Sequence, residues 1–187
     1  AKGYDIFCKA IVEVLKKNEE WKAIVIGDEK RENLELKHKN ADILGFKKHE
    51  EVIKIFKKSS IAVVCSRWEE PFGRTSLEAS ANGCAVIVTN KGGLPETVTD
   101  AKILKKLSSN ELKKALNELI KNVKLRKSLQ KKSIKNFYLT HEFVTNNIDN
   151  YRQEKLQSVN KFFVKRNKSK FRILHITNFN ERLDGRL

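Results

Sequence analysis

Ile61-Ala62-Val63-Val64-Cys65 is apolar without a polar interruption, and a strand of that character has to be covered on both faces, as strands of parallel sheets are. Ala85 to Thr89 has the same character. Shorter apolar runs at Trp21 to Ile26 and Ala41 to Leu44 each stop at a glycine, Gly27 and Gly45. Between these runs the apolar spacing changes to that of helices. Ile6, Phe7, Ala10, Ile11, Val14 and Leu15 form one stripe, Val52, Ile53, Ile55 and Phe56 a second, and Leu112, Leu116, Leu119 and Ile120 a third. A further helix is expected from Gly73 or Arg74 to about Ala81, closed by Asn82-Gly83, and a last short strand at Ile103 to Leu107. Strand and helix alternate throughout, which predicts an α/β fold with a doubly wound parallel sheet. Ligands of such sheets sit where the carboxyl ends of strands meet helix N-termini, so the glycine-ended loops are the informative ones.

A chain of 187 residues accommodates one domain with a well-buried core plus an appendage. It has no run of 18 apolar residues, and Ala1-Lys2-Gly3 opens no signal segment, so a cytoplasmic protein is expected. Cys8, Cys65 and Cys84 are scattered among apolar neighbours and read as buried thiols. His38, His49, His141 and His175 stand apart from one another and from paired carboxylates, and no Asp-x-Asp occurs, so no protein-held metal is expected.

The net charge of +16 is unevenly placed: residues 1–100 carry 17 Lys/Arg against 16 Asp/Glu, and residues 101–187 carry 22 against 7. The excess falls on helix-like segments such as Lys121 to Lys135 and on Lys161 to Arg172. Such a face is either simply solvated or suited to the anionic head groups at the inner face of a membrane. Nucleic acid is the weakest reading, because no recognition motif or aromatic-interleaved basic sheet accompanies the charge.

The segment from Ser66 to Ala79 joins a buried strand to a helix. Pro71 fixes φ and Gly73 lets the backbone bend closely before the helix begins. The first N–H groups of that helix lack intrahelical partners and share its positive end, which makes them a seat for phosphate oxygens. Glu70 stands ahead of them and Glu78 follows eight positions later. Ionised carboxylates only accept hydrogen bonds, so two of them beside a phosphate cradle suit sugar and ribose hydroxyls. On spacing alone, Glu70 could equally serve the helix dipole and Glu78 the solvated surface.

Glu70-Pro71-Phe72-Gly73, then Glu78-Ala79, Asn82-Gly83 and Gly92-Gly93-Leu94-Pro95-Glu96, is similar in order and spacing to the E-x7-E region of family 4 glycosyltransferases. Lys2-Gly3 ahead of a striped helix resembles the K-G start of that family's C-terminal domain. The resemblance covers roughly residues 1–150. It implies the Rossmann-like C-terminal half of a GT-B fold and retaining transfer of a hexosyl group from a nucleotide-diphosphate sugar, with no cofactor beyond that donor. By the same resemblance Lys2 holds the donor diphosphate and Glu70 contacts the transferred sugar. Phe72, Gly73 and Arg74 meet the phosphates, Glu78 accepts from the ribose, and Gly45 and Phe46 line the base. The family's second diphosphate clamp, an arginine before the K-G lysine, has no match here, and Asp28-Glu29-Lys30 replaces the usual further glycine. The acceptor-binding domain, also without a match, would be the partner of this half, and the acceptor an envelope glycan or lipid-linked species.

The expected organisation is a donor domain over residues 1–158 with helix through 122–158, a basic linker over 159–170, and a strand-like tail over 171–187. Phe171-Arg172-Ile173-Leu174-His175-Ile176-Thr177-Asn178-Phe179 resembles the opening strand of a second transferase module, and a casually packed tail is the other reading. Three functions stay open: a catalytic half, a non-catalytic donor-binding or partner-binding module that works by complementation, and a basic nucleic-acid binder.

Overall fold

The computed structural model describes residues 2–27 and 36–163, with side chains to residue 158, and divides into two units, Ala1–Thr140 and His141–Leu187. In the first unit the elements run α1 (Tyr4–Leu15), β1 (Ala23–Val25), β2 (Ala41–Ile43), α2 (His49–Lys58), β3 (Ile61–Val64), α3 (Arg74–Ala81), β4 (Ala85–Thr89), a 3-10 turn (Pro95–Thr97), β5 (Ala101–Leu104), α4 (Ser109–Lys121) and α5 (Val123–Lys135). All strand pairs are parallel, as the uninterrupted apolar runs require. The ladder comes in two pieces, however. β1 pairs with β2, β3 to β5 pair in the order β3-β4-β5, and β1 and β3 belong to separate sheets.

β4 shows why the middle of the larger sheet is so well specified. All five of its residues are buried, and its side chains alternate between two cores. Ala85 and Ile87 join Val14 and Leu15 of α1 and Leu112, Leu116 and Leu119 of α4. Val86 and Val88 join Phe56 of α2, Ala79 of α3 and Leu94 on the opposite face. Helix layers on both sides make the fold doubly wound.

Capping fixes where the later helices start. Ser108 Oγ accepts from the Glu111 N–H at 3.2 Å, and Asn122 Oδ1 accepts from the Leu125 N–H at 2.9 Å. α4 therefore begins at Ser109, three residues before the apolar stripe opens at Leu112. The last strand lies at Ala101–Leu104 rather than Ile103 to Leu107, because its register against β4 runs from Val86–Ala101 to Thr89–Leu104. Lys105 and Lys106 beyond it are exposed.

The helix expected through 122–158 is two helices. α5 ends where the Asn136 N–H donates to Lys132 O at 2.8 Å and the Asn136 side chain turns to Asp100, also at 2.8 Å. α6 (His141–Phe163) belongs to the second unit, and every residue of it from His141 to Ser158 is exposed, Phe143, Val144, Ile148, Tyr151 and Leu156 included. Residues 159–163 of the expected linker continue its backbone; residues 164–170 and the strand-like tail 171–187 lie outside the described residues. No described helix is long and apolar enough to cross a membrane.

Candidate functional site

The loop after β3 is held from below by the loop after β4. The buried Ser66 N–H donates to Thr89 Oγ1 at 3.0 Å and the Thr89 hydroxyl lies 3.2 Å from Ser66 O, which ties the two strand ends together. Gly92 and Gly93 then pass directly under Glu69 to Phe72. The Gly93 N–H donates to Glu70 O at 2.7 Å, and a Cβ placed on Gly92 would stand 2.2 Å from Glu70 O and 2.5 Å from Glu70 N. No side chain fits there. The Glu69 carboxylate closes the arrangement by accepting from the Gly92 N–H and, at 2.9 Å, from Lys91 Nζ.

Gly73 makes the turn into α3 with φ of 103°. A Cβ there would meet Leu94 Cδ2 at 2.8 Å, so space and backbone angle both demand glycine. No side chain caps this helix, leaving its first-turn N–H groups without an intrahelical acceptor at its positive end. Ser76 instead donates to Gly73 O at 2.7 Å and shares a 2.7 Å hydrogen bond with Thr97 Oγ1, which anchors the turn to the 3-10 segment.

Charged side chains gather around this turn. Glu70 has a largely covered side chain, 13% exposed, and contacts Lys2 Nζ. The Trp68 indole N–H donates to the same carboxylate oxygen at 3.2 Å. Burial pushes the Glu70 carboxyl up, but the Lys2 ammonium, the Ser66 hydroxyl and the Trp68 N–H outweigh it and hold the group below the usual carboxylate range. Glu78, 19% exposed, accepts from Arg74 Nε at 2.7 Å one helical turn back, and His49 Nδ1 from the start of α2 lies 3.7 Å away.

Lys2, Gly27, Gly45, Glu70, Phe72, Gly73 and Arg74 all line one cleft of about 1740 Å³ that runs the length of β1 and β3 and includes the loops at their carboxyl ends. Gly45 reaches it through the 2.9 Å hydrogen bond from the Gly27 N–H to its carbonyl. Phe46 is 79% exposed and does not line the cleft. Glu78 lies beside the rim, tied to the lining residue Arg74. Sequence reasoning missed Trp68, whose ring also carries Lys2 Nζ 5.9 Å from its centroid, and His49. His49 arrives by tertiary approach, whereas Trp68 reaches Glu70 from two positions back in the same loop. Chemically, the arrangement offers cations and helix N–H groups for an anion, flanked by two acceptor carboxylates for hydroxyls. Among the described residues, no group of three or more His, Cys, Asp or Glu is placed to hold a metal ion.

The model of the glycosyl transferases group 1 family matches residues 1–136. An uncharacterized glycosyltransferase of Methanocaldococcus jannaschii is 36% identical over 137 residues, covering 68% of this chain and 37% of that protein. The chain thus spans about a third of the length of that relative. The solved C-terminal domain of a group 1 family glycosyl transferase from Francisella tularensis superimposes with a TM-score of 0.64 at 30% identity, over 72% of this chain and 76% of that one. Anabaena HepE, solved in complex with UDP and glucose, superimposes with a TM-score of 0.63 over 80% of this chain and 44% of its own, a likeness of fold at 20% identity.

Proposed function

The chain belongs to the group 1 glycosyl transferases, and from that premise we propose that its cleft binds a nucleotide-diphosphate sugar and supplies the donor half of a retaining hexosyl transfer. One observation carries the reading. Lys2 and the single segment that holds Glu70, the uncapped start of α3 and Glu78 lie 68 positions apart in the chain, and the fold brings the two together at one rim of a parallel sheet. The diphosphate would lie on the N–H groups of Arg74 and its neighbours, with Lys2 and Arg74 as counter-charges. As the bond from the sugar's anomeric carbon to the diphosphate oxygen breaks, charge builds on that oxygen, and a fixed dipole with two cations stabilises it without reorganising. Glu70 would accept from the transferred sugar, and Glu78 from the ribose.

The UDP complex of Anabaena HepE is in keeping with a nucleotide donor. The acceptor, expected to be an envelope glycan or lipid-linked species, would be bound mainly by the other half of the enzyme. Calorimetric titration of the chain with uridine, guanosine and adenosine diphosphate sugars tests the core of the proposal, with binding of at least one expected. Glu78→Gln should weaken that binding about tenfold, the loss of about 1.4 kcal/mol expected for a charged hydrogen bond. Glu70→Gln, in a protein joined to an acceptor half, should lower kcat more than affinity. Equal effects of the two changes on affinity and turnover would refute the roles.

A further inference from the structure

Lys2 and Arg74, the cations beside the turn, are engaged with its two carboxylates. Lys2 pairs with Glu70, and Arg74 pairs with Glu78 at 2.7 Å. The donor reading assigns these same groups to different parts of one ligand, the cations to the diphosphate and the carboxylates to hydroxyls of the sugar and the ribose. Each ion pair therefore has to be exchanged for two contacts with the donor: a cation on a phosphate oxygen and a hydroxyl on a carboxylate. Arg67, in the same loop as Glu70, is itself paired with Asp5.

Glu70 is the more constrained of the two carboxylates. Its side chain is largely covered, so an oxygen left there without a donor is costly. Oε1 accepts from two groups at once, the Lys2 ammonium and, at 3.2 Å, the Trp68 indole N–H. These donors differ in kind. Lys2 is a point charge on a flexible, mostly exposed stem that lines the cleft, and it can turn to another anion. Trp68 is neutral, has only two side-chain torsions, and its backbone N–H donates to the buried Ser66 hydroxyl at 3.3 Å. More than half of the Trp68 surface is exposed, so little packing holds the ring. Its orientation comes from the bond to Glu70 and from the Lys2 ammonium 5.9 Å from the ring centre.

We propose, resting on the donor reading above, that Lys2 is handed from Glu70 to the donor diphosphate on binding, and that Trp68 is the positioning residue that keeps the Glu70 carboxylate aimed at the sugar once Lys2 has left. The diphosphate carries more charge than one carboxylate and lies at the positive end of α3, so it draws the ammonium away from Glu70. The indole N–H stays on Oε1, and a sugar hydroxyl takes the place that Lys2 gives up. A nucleoside diphosphate without its sugar breaks the Lys2–Glu70 pair and puts no hydroxyl in its place, so the pair opposes its binding. Departure of the ammonium also leaves Oε1 a stronger acceptor for the one N–H that remains.

The test uses the full chain and its Lys2→Met, Glu70→Gln and doubly substituted forms, titrated calorimetrically with uridine, guanosine and adenosine diphosphate. Glu70→Gln is expected to tighten nucleotide binding about 2- to 5-fold, the strength of an exposed ion pair, and to have no such effect once Lys2 is replaced. Equal tightening in both backgrounds is plain repulsion between carboxylate and phosphate and overturns the proposal, as does tightening in neither. The Trp68 indole N–H resonance, one of two in the chain and assigned by its loss in Trp68→Phe, gives a second readout. It should move downfield in Lys2→Met, move the same way when nucleotide is added to the wild type, and respond less to nucleotide in Lys2→Met. The Val86 and Val88 amides of β4 show that each form is folded. An indole signal that neither change moves, with calorimetric binding intact, overturns the hand-over and leaves the donor reading standing. Binding of none of the three nucleotides overturns the donor reading itself, and the hand-over with it.

Discussion

Gly92→Ala isolates the contact on which the donor loop rests. Gly92 has φ of 53°, and Gly45 has nearly the same value, 63°, but around Gly45 nothing lies within 4 Å of an added Cβ, whereas at Gly92 that atom would fall 2.2 Å from Glu70 O. The two substitutions share the left-handed backbone strain of about 1–2 kcal/mol. They also share the gain of about 0.4–1 kcal/mol from a stiffer unfolded chain. Only Gly92→Ala adds an overlap with backbone, which cannot swing aside as a flexible side chain can, at about 1–3 kcal/mol. Gly45→Ala should therefore cost about 1 kcal/mol and Gly92→Ala about 2–4 kcal/mol. For a chain of this length that is a fall in Tm of about 2–4 °C against about 4–16 °C. Urea unfolding with both midpoint and slope measured gives the comparison directly. Because Gly93 donates to Glu70 O from the same loop, donor affinity should fall in Gly92→Ala along with stability. Should the two variants agree to within about 0.5 kcal/mol, the close passage of Gly92 beneath Glu70 is not a constraint, and the reasoning fails.

Other expectations concern caps, thiols and pH. Ser108→Ala removes the side-chain acceptor at the start of α4 and should cost about 1 kcal/mol, restored in large part by Ser108→Asp; a thermal melt checks both. Burial pushes the Cys65 thiol up to about 12 and the Cys84 thiol up to about 11, so at pH 8 neither should react with a thiolate-seeking reagent until the protein unfolds. Rapid native labelling of either would show that its pocket opens. The Glu70 carboxyl is held below its ordinary value of 4.5, so the stabilisation it gains from Lys2 is fully present above that value and disappears as pH falls through the lowered one. The Tm difference between the wild type and Glu70→Gln should thus be constant near neutrality and shrink in acid; a gap that widens on acidification contradicts the pairing.

How much of this was legible beforehand depends on the range of the interaction involved. The strands at Ile61 and Ala85, the amphipathic helices and the Glu70 to Gly73 turn are written in residue type and short spacing, and the structure places them where those signals put them. Boundaries moved where a single distant partner decides, as when pairing with Val86 draws β5 back to Ala101, or when Asn136 turns to Asp100 and divides the last long helix.

The sequence alone determined the α/β alternation, the buried character of β4 and the presence of two carboxylates around a glycine-bent helix start, because periodicity and backbone preference act over a few residues. Only the tertiary structure decided that Lys2 meets Glu70 across 68 positions, that Gly92 passes under the same residue, and that the ladder breaks between β1 and β3. Those outcomes come from packing whole layers against one another. No local signal carries them, since each depends on which distant surface best fills the space beside it.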